Sequence, residues 1–126
     1  MAKQKNVQPT HRPAPDRRSP CPVACSLDLL GDRWTLLVIR DLLLGRSRFK
    51  DFSASPEGIP TNILSNRLAR LLENGVVEQI PASDGTKRYA YQLTAKGTSL
   101  RSVLIALRDW GLKWEPGTCA ALKPGP

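Results

Sequence analysis

Residues 58–78 read GIPTNILSNRLARLLENGVVE, a helical pattern with turn-forming residues at both ends. Proline and glycine force a turn over 56–60, Thr61 is a plausible N-terminal cap, and Asn74-Gly75 ends the segment. The apolar positions recur with helical spacing and are predicted to face inward: Ile63, Leu64, Leu68, Leu71 and Leu72. The sequence therefore predicts an amphipathic helix over Asn62–Asn74.

The other face of this helix, near Thr61–Leu72, is polar. Asn62, Ser65, Asn66 and Arg67 project from its first turns, where a helix lying in the major groove of DNA usually contacts bases. Asparagine can pair with adenine edges and arginine with guanine edges. A polar helix face is more often only solvated, so this prediction depends on the neighbouring elements.

Three helical segments precede the turn. Pro22 suits a first helical turn, and a short helix follows it up to Gly31. Asp32 can cap a second helix over about 33–44, which is apolar on most sides and is predicted to be central and buried. Arg48–Ser55 can form two further helical turns. Asp28, Asp32 and Asp41 are interpreted as cap and surface charges, and Cys25 as a core residue.

After Gly75 the pattern changes to that of strands. Val76, Val77 and Ile80 start one strand, and residues 89–93 alternate as a second. Asp84-Gly85 indicates a turn, so the two strands form a hairpin with a basic tip over 83–88. Thr94 is expected to cap one last helix over about 95–114. The predicted fold class is mostly α with a small β-hairpin, a winged helix-turn-helix.

The chain has 126 residues, a net charge of +8 and a pI near 9.9, which favour one domain and an anionic partner, most often nucleic acid. Residues 1–20 carry half of this charge and four prolines. We interpret them as a disordered basic tail, which serves either solubility or phosphate contacts. The folded domain is expected at 21–115, with a loose C-terminal tail at 116–126.

Several classes of protein are not expected. No apolar run is long enough to span a membrane, and the basic N-terminus lacks the apolar stretch of a secretory signal. Three cysteines without a signal argue against a disulfide framework and suggest the cytoplasm. His11 is the only histidine, so the chain offers little for acid–base catalysis or zinc. We therefore expect no enzyme activity, no metal and no cofactor.

Double-stranded DNA is the partner that the order of elements favours. A helix, a second helix, a turn, a polar-faced helix and a basic hairpin form a far more specific pattern than any one of them. The residues predicted to contact bases or phosphates are Arg46, Arg48, Lys50, Thr61, Asn62, Ser65, Asn66, Arg67, Arg70, Lys87 and Arg88. The alternative is a winged-helix protein–protein interaction module, which would not need this basic surface.

The sequence resembles the HxlR-type winged helix regulators, relatives of the MarR regulators, over about 21–112. The resemblance is carried by Cys21-Pro22, Gly31-Asp32-Arg33-Trp34, Arg48-Phe49, Gly58-Ile59, Leu64, Leu68, Leu71, Gly75-Val76-Val77, Tyr91, Leu93-Thr94 and Gly97. It implies a transcriptional regulator that forms a homodimer through its first and last helices and binds a pseudo-palindromic operator. Two departures are Ser83-Asp84-Gly85-Thr86, where the family often has a proline-rich wing, and the long basic tail.

The last helix supplies a second argument for the dimer. Its apolar stripe exceeds what one thin domain can easily cover, although packing within one subunit is the alternative. The residues predicted for the interface are Val23, Leu27, Leu100, Val103, Leu104, Leu107, Trp110 and Trp114.

Cys21 matches the family's N-terminal cysteine, through which some members sense oxidants or electrophiles. A helix N-terminus stabilises a thiolate, so Cys21 is a candidate redox sensor. The alternative is a small apolar residue packed at the dimer interface. Regulation, expected to be repression, would then respond to thiol oxidation or to a small ligand.

Overall fold

The computed structural model describes residues 17–82, 85 and 88–121, which form six helices and one two-stranded sheet. The elements in chain order are α1 (Pro22–Leu30), α2 (Thr35–Leu43), α3 (Phe49–Ser53), α4 (Thr61–Glu73), β1 (Val77–Pro81), β2 (Tyr89–Leu93), α5 (Ala95–Thr98) and α6 (Arg101–Trp114). The predicted class, mostly α with one hairpin, is confirmed. Most of the predicted tail 1–20, residues 122–126, and Ser83, Asp84, Thr86 and Lys87 lie outside the described residues.

The core lies between α2, α4 and the hairpin. α2 contributes Val38, Ile39 and Leu42, as the prediction of a central helix requires, and α4 contributes its three inward leucines. The full cluster of buried apolar residues is Val38, Ile39, Leu42, Phe52, Ile59, Leu64, Leu68, Leu71, Val76, Val77 and Leu104. These side chains fix α4 by one face only, which leaves its opposite face to solvent.

The hairpin pairs β1 and β2 antiparallel, with Val77 opposite Leu93 and Pro81 opposite Tyr89. The middle of β2 is attached to the segment before α3, because the Tyr91 N–H donates to the Ser47 carbonyl at 2.7 Å. The Phe52 and Tyr91 rings also meet edge to face, with centroids 6.2 Å apart. The hairpin is therefore held against the helical core and projects beside α4 as a wing.

The start of α4 differs from the prediction. Thr61 is the first helical residue, and the cap position belongs to Pro60, whose extended backbone places its carbonyl to accept the Leu64 N–H at 2.9 Å. The predicted side-chain cap by Thr61 is therefore wrong. A proline lacks an N–H, so it suits the position where the helix would leave that donor unused.

The last helix is also not continuous. Thr94 caps a single turn, α5, by accepting the Gly97 N–H at 3.2 Å. A turn over 99–100 then separates α5 from α6. Gly97 explains why this turn packs so closely, since a Cβ there would lie 2.2 Å from the Val76 carbonyl oxygen. The prediction of one helix over about 95–114 is corrected to two.

Asp41 is buried, contrary to its interpretation as a surface charge. The residue is 2% exposed, and its carboxylate accepts hydrogen bonds from Arg40, Arg46 at 2.9 Å and the hydroxyl of Ser55. A buried carboxylate requires such partners, because an unpaired charge in the interior is very costly.

Cys25 is half-buried and lies outside the core cluster; its thiol donates to the Ser19 carbonyl at 3.1 Å.

Candidate nucleic-acid interface

α4 presents one continuous polar stripe to solvent. Thr61, Asn62, Ser65, Asn66 and Ala69 are all exposed, at positions that lie above one another on the helix. The stripe lies opposite the buried leucines, so its orientation follows directly from the core. It contains four of the predicted DNA contacts. Ala69 was missed, although its spacing of four from Ser65 places it on the same face, and its methyl group can contact a thymine methyl.

The turn before α4 is held in place by a group of charged residues on and near α2. Arg40 on α2 donates to both carboxylate oxygens of Glu57, at 2.7 and 2.8 Å, and also to Asp41. Both acceptors raise the pKa of Arg40, with the hydrogen bond to Glu57 as the main cause, and the same bond lowers the pKa of Glu57. This pair of hydrogen bonds ties the turn over 56–60 to α2 and so helps to set the direction in which α4 leaves the core.

Arg67 does not extend freely from α4. Its Nε donates to Asp32 Oδ2 at 2.8 Å, and its Nη1 donates to the side-chain oxygen of Asn66. Its guanidinium therefore connects the polar stripe of α4 with the junction between α1 and α2. Sequence reasoning missed this contact because its two partners are 35 positions apart.

Asp32 is the centre of that junction. Its carboxylate accepts the N–H groups of Trp34 and Thr35 at 3.0 and 3.1 Å and the Thr35 hydroxyl at 2.5 Å. Partial burial alone would raise the pKa of Asp32, but the hydrogen bonds from Thr35 and Arg67 outweigh it and lower the pKa to about 2. The group is therefore a carboxylate at neutral pH. α2 begins at Thr35 with Trp34 in the cap position, so Asp32, the predicted cap, lies two residues before that position, but its side chain accepts N–H groups at the start of the helix as a cap would.

Arg70 also faces away from the stripe. Its Nη2 donates to the Asp28 carbonyl oxygen at 2.9 Å, so it joins α4 to α1. The two arginines that the sequence assigned to DNA on α4 are thus both engaged by the protein itself in this structure.

The basic residues around α3 vary in exposure. Lys50 is exposed, Arg48 is half-buried, and Arg46 keeps 44% of its side chain exposed while pairing with Asp41. Asp51 accepts the Arg48 N–H at 3.0 Å, which is the main reason that its pKa is lowered. On the wing, Arg88 is exposed, whereas Lys87 lies outside the described residues.

A second surface on α1 and α6 is apolar. Val23 and Leu27 on α1 and Val103, Leu107, Trp110 and Trp114 on α6 are each between 40% and 67% exposed. Leu104 instead lies in the core of its own subunit, and Leu100 is half-buried against it. Several large apolar side chains left exposed in this way usually mark an interaction site.

The described part of the chain yields two further findings. Within residues 17–82, 85 and 88–121, no helix is both long and apolar enough to cross a bilayer. The same residues contain no group of three or more histidine, cysteine or acidic side chains placed to hold a metal ion.

Comparison with curated proteins identifies relatives among transcriptional regulators. An uncharacterised HTH-type transcriptional regulator of Mycobacterium tuberculosis is 37% identical over 94 residues, which cover 75% of this chain and 59% of that protein. The chain thus spans less than two thirds of that relative's length. The HTH-type transcriptional regulator YodB of Bacillus subtilis is 34% identical over 99 residues, covering 77% of this chain and 88% of YodB.

Solved structures give the same result. The candidate transcription factor PA1607 superposes with a TM-score of 0.75 at 37% identity, over 87% of this chain and 82% of its own. Reduced YodB superposes with a TM-score of 0.64 at 33% identity, over 79% of this chain and all of YodB. YodB has also been solved with a bound quinone and after diamide treatment.

A family model described as HxlR-like helix-turn-helix matches residues 29–118. Its match includes the whole of α2 to α6, and therefore the polar stripe, the braced turn and the wing. The fold is a winged helix, and the chain belongs to the HxlR-like family of helix-turn-helix transcriptional regulators.

Proposed function

We propose that this regulator is a homodimeric repressor that binds a pseudo-palindromic operator in double-stranded DNA. The observation that carries the proposal is the stripe of Thr61, Asn62, Ser65 and Asn66, which is exposed along a helix whose other face is locked into the core. A major groove about 12 Å wide admits one such helix with short polar side chains. Each subunit then reads one half-site.

The apolar surface of α1 and α6 supports the dimer. Val23, Leu107 and Trp110 are each at least half exposed, and aromatic side chains of this kind are enriched where subunits meet. A two-fold axis through this surface would bring α6 against its own copy and place the two α4 helices symmetrically. The operator half-sites are then expected about one DNA turn apart.

Phosphate contacts would fix each subunit on the duplex. Lys50 projects from α3 into solvent, and Arg46 and Arg48 lie on the segment that leads into this helix. Arg88 comes directly before β2 of the wing, which we propose to follow the backbone or the minor groove beside α4. Lys87 lies outside the described residues and is proposed as a contact from the sequence alone. Arg67 reads a guanine only if it exchanges Asp32 for the base; otherwise it orients Asn66.

Thiol chemistry is the signal that we propose for release. Cys21 is exposed at the N-terminal cap of α1, two residues before Val23 on the apolar surface. Modification of this thiol by an oxidant or a quinone-type electrophile would place a new group beside the subunit contact. The related regulator YodB has been solved with a bound quinone, which supports this choice of effector.

A mobility shift with the DNA upstream of the protein's own gene tests the DNA proposal. Binding should appear at low salt and weaken steeply as salt rises, because bound phosphates release counterions. Asn66→Ala should weaken specific binding by about 1–3 kcal/mol and relax one base position, whereas Ser102→Ala on α6 should change neither. If the chain retards no such DNA at low salt, the interaction-module alternative takes precedence.

Arg67→Ala separates the two roles of that residue. A base-reading arginine predicts a loss of about 1–3 kcal/mol with relaxed preference at one guanine. If Arg67 only orients Asn66, Arg67→Ala should relax the base preference at the same operator position as Asn66→Ala. Unchanged sequence preference would remove Arg67 from recognition altogether.

Cysteine variants test the signal. Diamide or benzoquinone should reduce operator binding by the native protein and by Cys119→Ser, which alters another exposed thiol. Cys21→Ser should bind the operator and resist both reagents. A response that persists in Cys21→Ser would contradict the assignment.

A further inference from the structure

An open cleft of about 710 Å³ lies between α1, the C-terminal end of α4 and α5. Its size is within the range of about 300–1,000 Å³ that is typical of sites for small ligands. It is separate from the polar stripe of α4, since none of the stripe residues lines it. The cleft is therefore free to hold a ligand while α4 is in contact with DNA.

Part of the cleft wall is apolar. Leu29 and Leu30 contribute from α1, Val76 from the segment before β1, and Leu100 from the turn before α6. Val76 is buried and the three leucines are half-buried, so the wall is fixed by the same core that holds α4. An aromatic or aliphatic group would displace water from this wall with a gain in free energy.

Positive charge lies around this apolar wall. Arg17, Arg70 and Lys96 line the cleft, and within the described part of the chain none of the three forms an ion pair. Burial lowers the pKa of Lys96, whose ammonium donates only to the Asn74 carbonyl at 2.8 Å. An incoming anion would supply the missing counter-charge.

Two acidic residues also line the cleft, and they limit the charge of the ligand. Asp28 is paired with Arg18 at 2.6 Å, and Glu73 is exposed. With one acid already neutralised and one left against three cations, the lining keeps a net positive charge, so the cleft favours an anionic ligand. The complementary molecule is thus a small anion that has an apolar body.

Arg70 links the cleft to the DNA-binding helix. It belongs to α4, lines the cleft and donates to the Asp28 carbonyl on α1 at 2.9 Å. A carboxylate is a stronger acceptor for a guanidinium than a neutral carbonyl. A ligand carboxylate would therefore compete for Arg70 and loosen the contact between α4 and α1.

We propose that this cleft is an effector site for a small apolar carboxylate, held by Arg70 and Lys96, whose binding weakens the affinity of α4 for DNA. The binding part stands alone, whereas the regulatory part rests on the proposed function. The coupling is reciprocal, so operator DNA should weaken carboxylate binding by the same factor.

Calorimetry on the full chain without DNA tests the site. The probes are benzoate, phenylacetate and naphthalene-1-carboxylate, with naphthalene-1-carboxamide as the neutral control. At least one carboxylate should bind saturably with a dissociation constant below about 1 mM, and the amide at least about tenfold more weakly. Equal binding of acid and amide, or no binding by any of the three acids, overturns the proposal.

Variants locate the site. Lys96→Gln should weaken binding of the best carboxylate about tenfold, whereas Lys50→Gln, the same change outside the cleft, should leave it unaltered. Ser99→Glu, which keeps all three cations and adds a negative charge to the lining, should also weaken it. Circular dichroism melts confirm that each variant is folded. Binding that survives both Lys96→Gln and Ser99→Glu contradicts the assignment.

The ratio of operator affinities with and without the carboxylate tests the coupling. At a carboxylate concentration that just saturates the native chain, we expect operator binding to weaken about fivefold or more in the native chain and clearly less in Ser99→Glu. If the carboxylate binds and operator affinity is unchanged, the effector role is wrong. If the chain binds carboxylate and no DNA at all, the proposed function fails while the site remains.

One competing occupant is the chain's own N-terminal segment. Deletion of residues 1–16 should leave carboxylate affinity unchanged. If the carboxylates bind only after this deletion, the segment occupies the cleft, and the proposal of a free effector site is overturned.

Discussion

α4 and α6 are almost the same length, 13 and 14 residues, but they divide their side chains between core and solvent in opposite ways. α4 buries Leu64, Leu68 and Leu71 and leaves polar side chains outside. α6 buries Leu104 and leaves Leu107 and Trp110 more than half exposed. The exposed face of α4 suits a hydrated, charged partner, whereas the exposed face of α6 is of the apolar kind that usually marks an interaction site.

Leu64→Ala should have the largest effect, because it removes the anchor of α4. The side chain is fully buried, so the cavity should lower the free energy of unfolding by about 2–5 kcal/mol. Urea denaturation measures it, with the neighbouring exposed Ser65→Ala as control. A loss below about 1 kcal/mol would mean that α4 is not held by its leucines, and the contrast with α6 would fail.

Trp110→Ala tests the other helix. Since Trp110 is 60% exposed in the single subunit, its loss should affect association more than folding. Central aromatic residues of interfaces contribute about 2 kcal/mol or more, so the dimer dissociation constant should rise about thirtyfold. Sedimentation velocity over a dilution series measures this, with Ser102→Ala as the control on α6. Equal dimerisation of both variants would remove α6 from the interface.

Asp32→Asn tests how the edge of α4 is attached. The pKa of Asp32 is lowered to about 2, below its ordinary 3.8, so its contribution to stability is present above pH 3.8 and is lost as pH falls towards 2. The variant should unfold about 1 kcal/mol more easily at neutral pH and lack this part of the acid dependence.

Urea melts across the acid range measure this dependence, and Asp109→Asn is the matched control. Asp109 lies on α6 with 61% of its side chain exposed, so this variant controls for the loss of one surface carboxylate. An Asp32→Asn profile that coincides with the native one would show that the contact with Arg67 adds nothing to the attachment of α4.

Lys50→Ala should have the smallest effect. An exposed lysine that contacts one phosphate should reduce the slope of log affinity against log salt by about 1, without changing sequence preference. Lys113→Ala, the same change on α6, should leave the slope as it is. If both variants behave alike, the basic charge acts through the whole molecule rather than through the side that carries α4.

The helical periodicity of residues 61–73 was enough to predict which side of α4 is buried. Leu64, Leu68 and Leu71 repeat every three or four positions, and this spacing assigns the polar stripe as well. The hairpin followed from the change of period after Gly75 and from Asp84-Gly85. These features are local, so a single sequence contains them.

The contacts of charged residues could not be predicted in the same way. Arg67 pairs with Asp32 and Arg40 with Glu57, 35 and 17 positions away, and no local pattern indicates such partners. Asp41 was assigned to the surface for the same reason, since its burial depends on Arg46 and Ser55 coming together in three dimensions. The break before α6 depends likewise on how Gly97 meets Val76.

That close meeting of Gly97 with Val76 has a mechanical consequence. Thr94 and Lys96 also bond to carbonyls of residues 74–76, so the end of α4, the base of the wing and the turn leading into α6 move as one piece. In a dimer built on α6, the distance between the two α4 helices would then depend on the angle between the subunits. A larger side chain at position 97 would clash with Val76 and weaken the connection between α4 and α6 within each subunit.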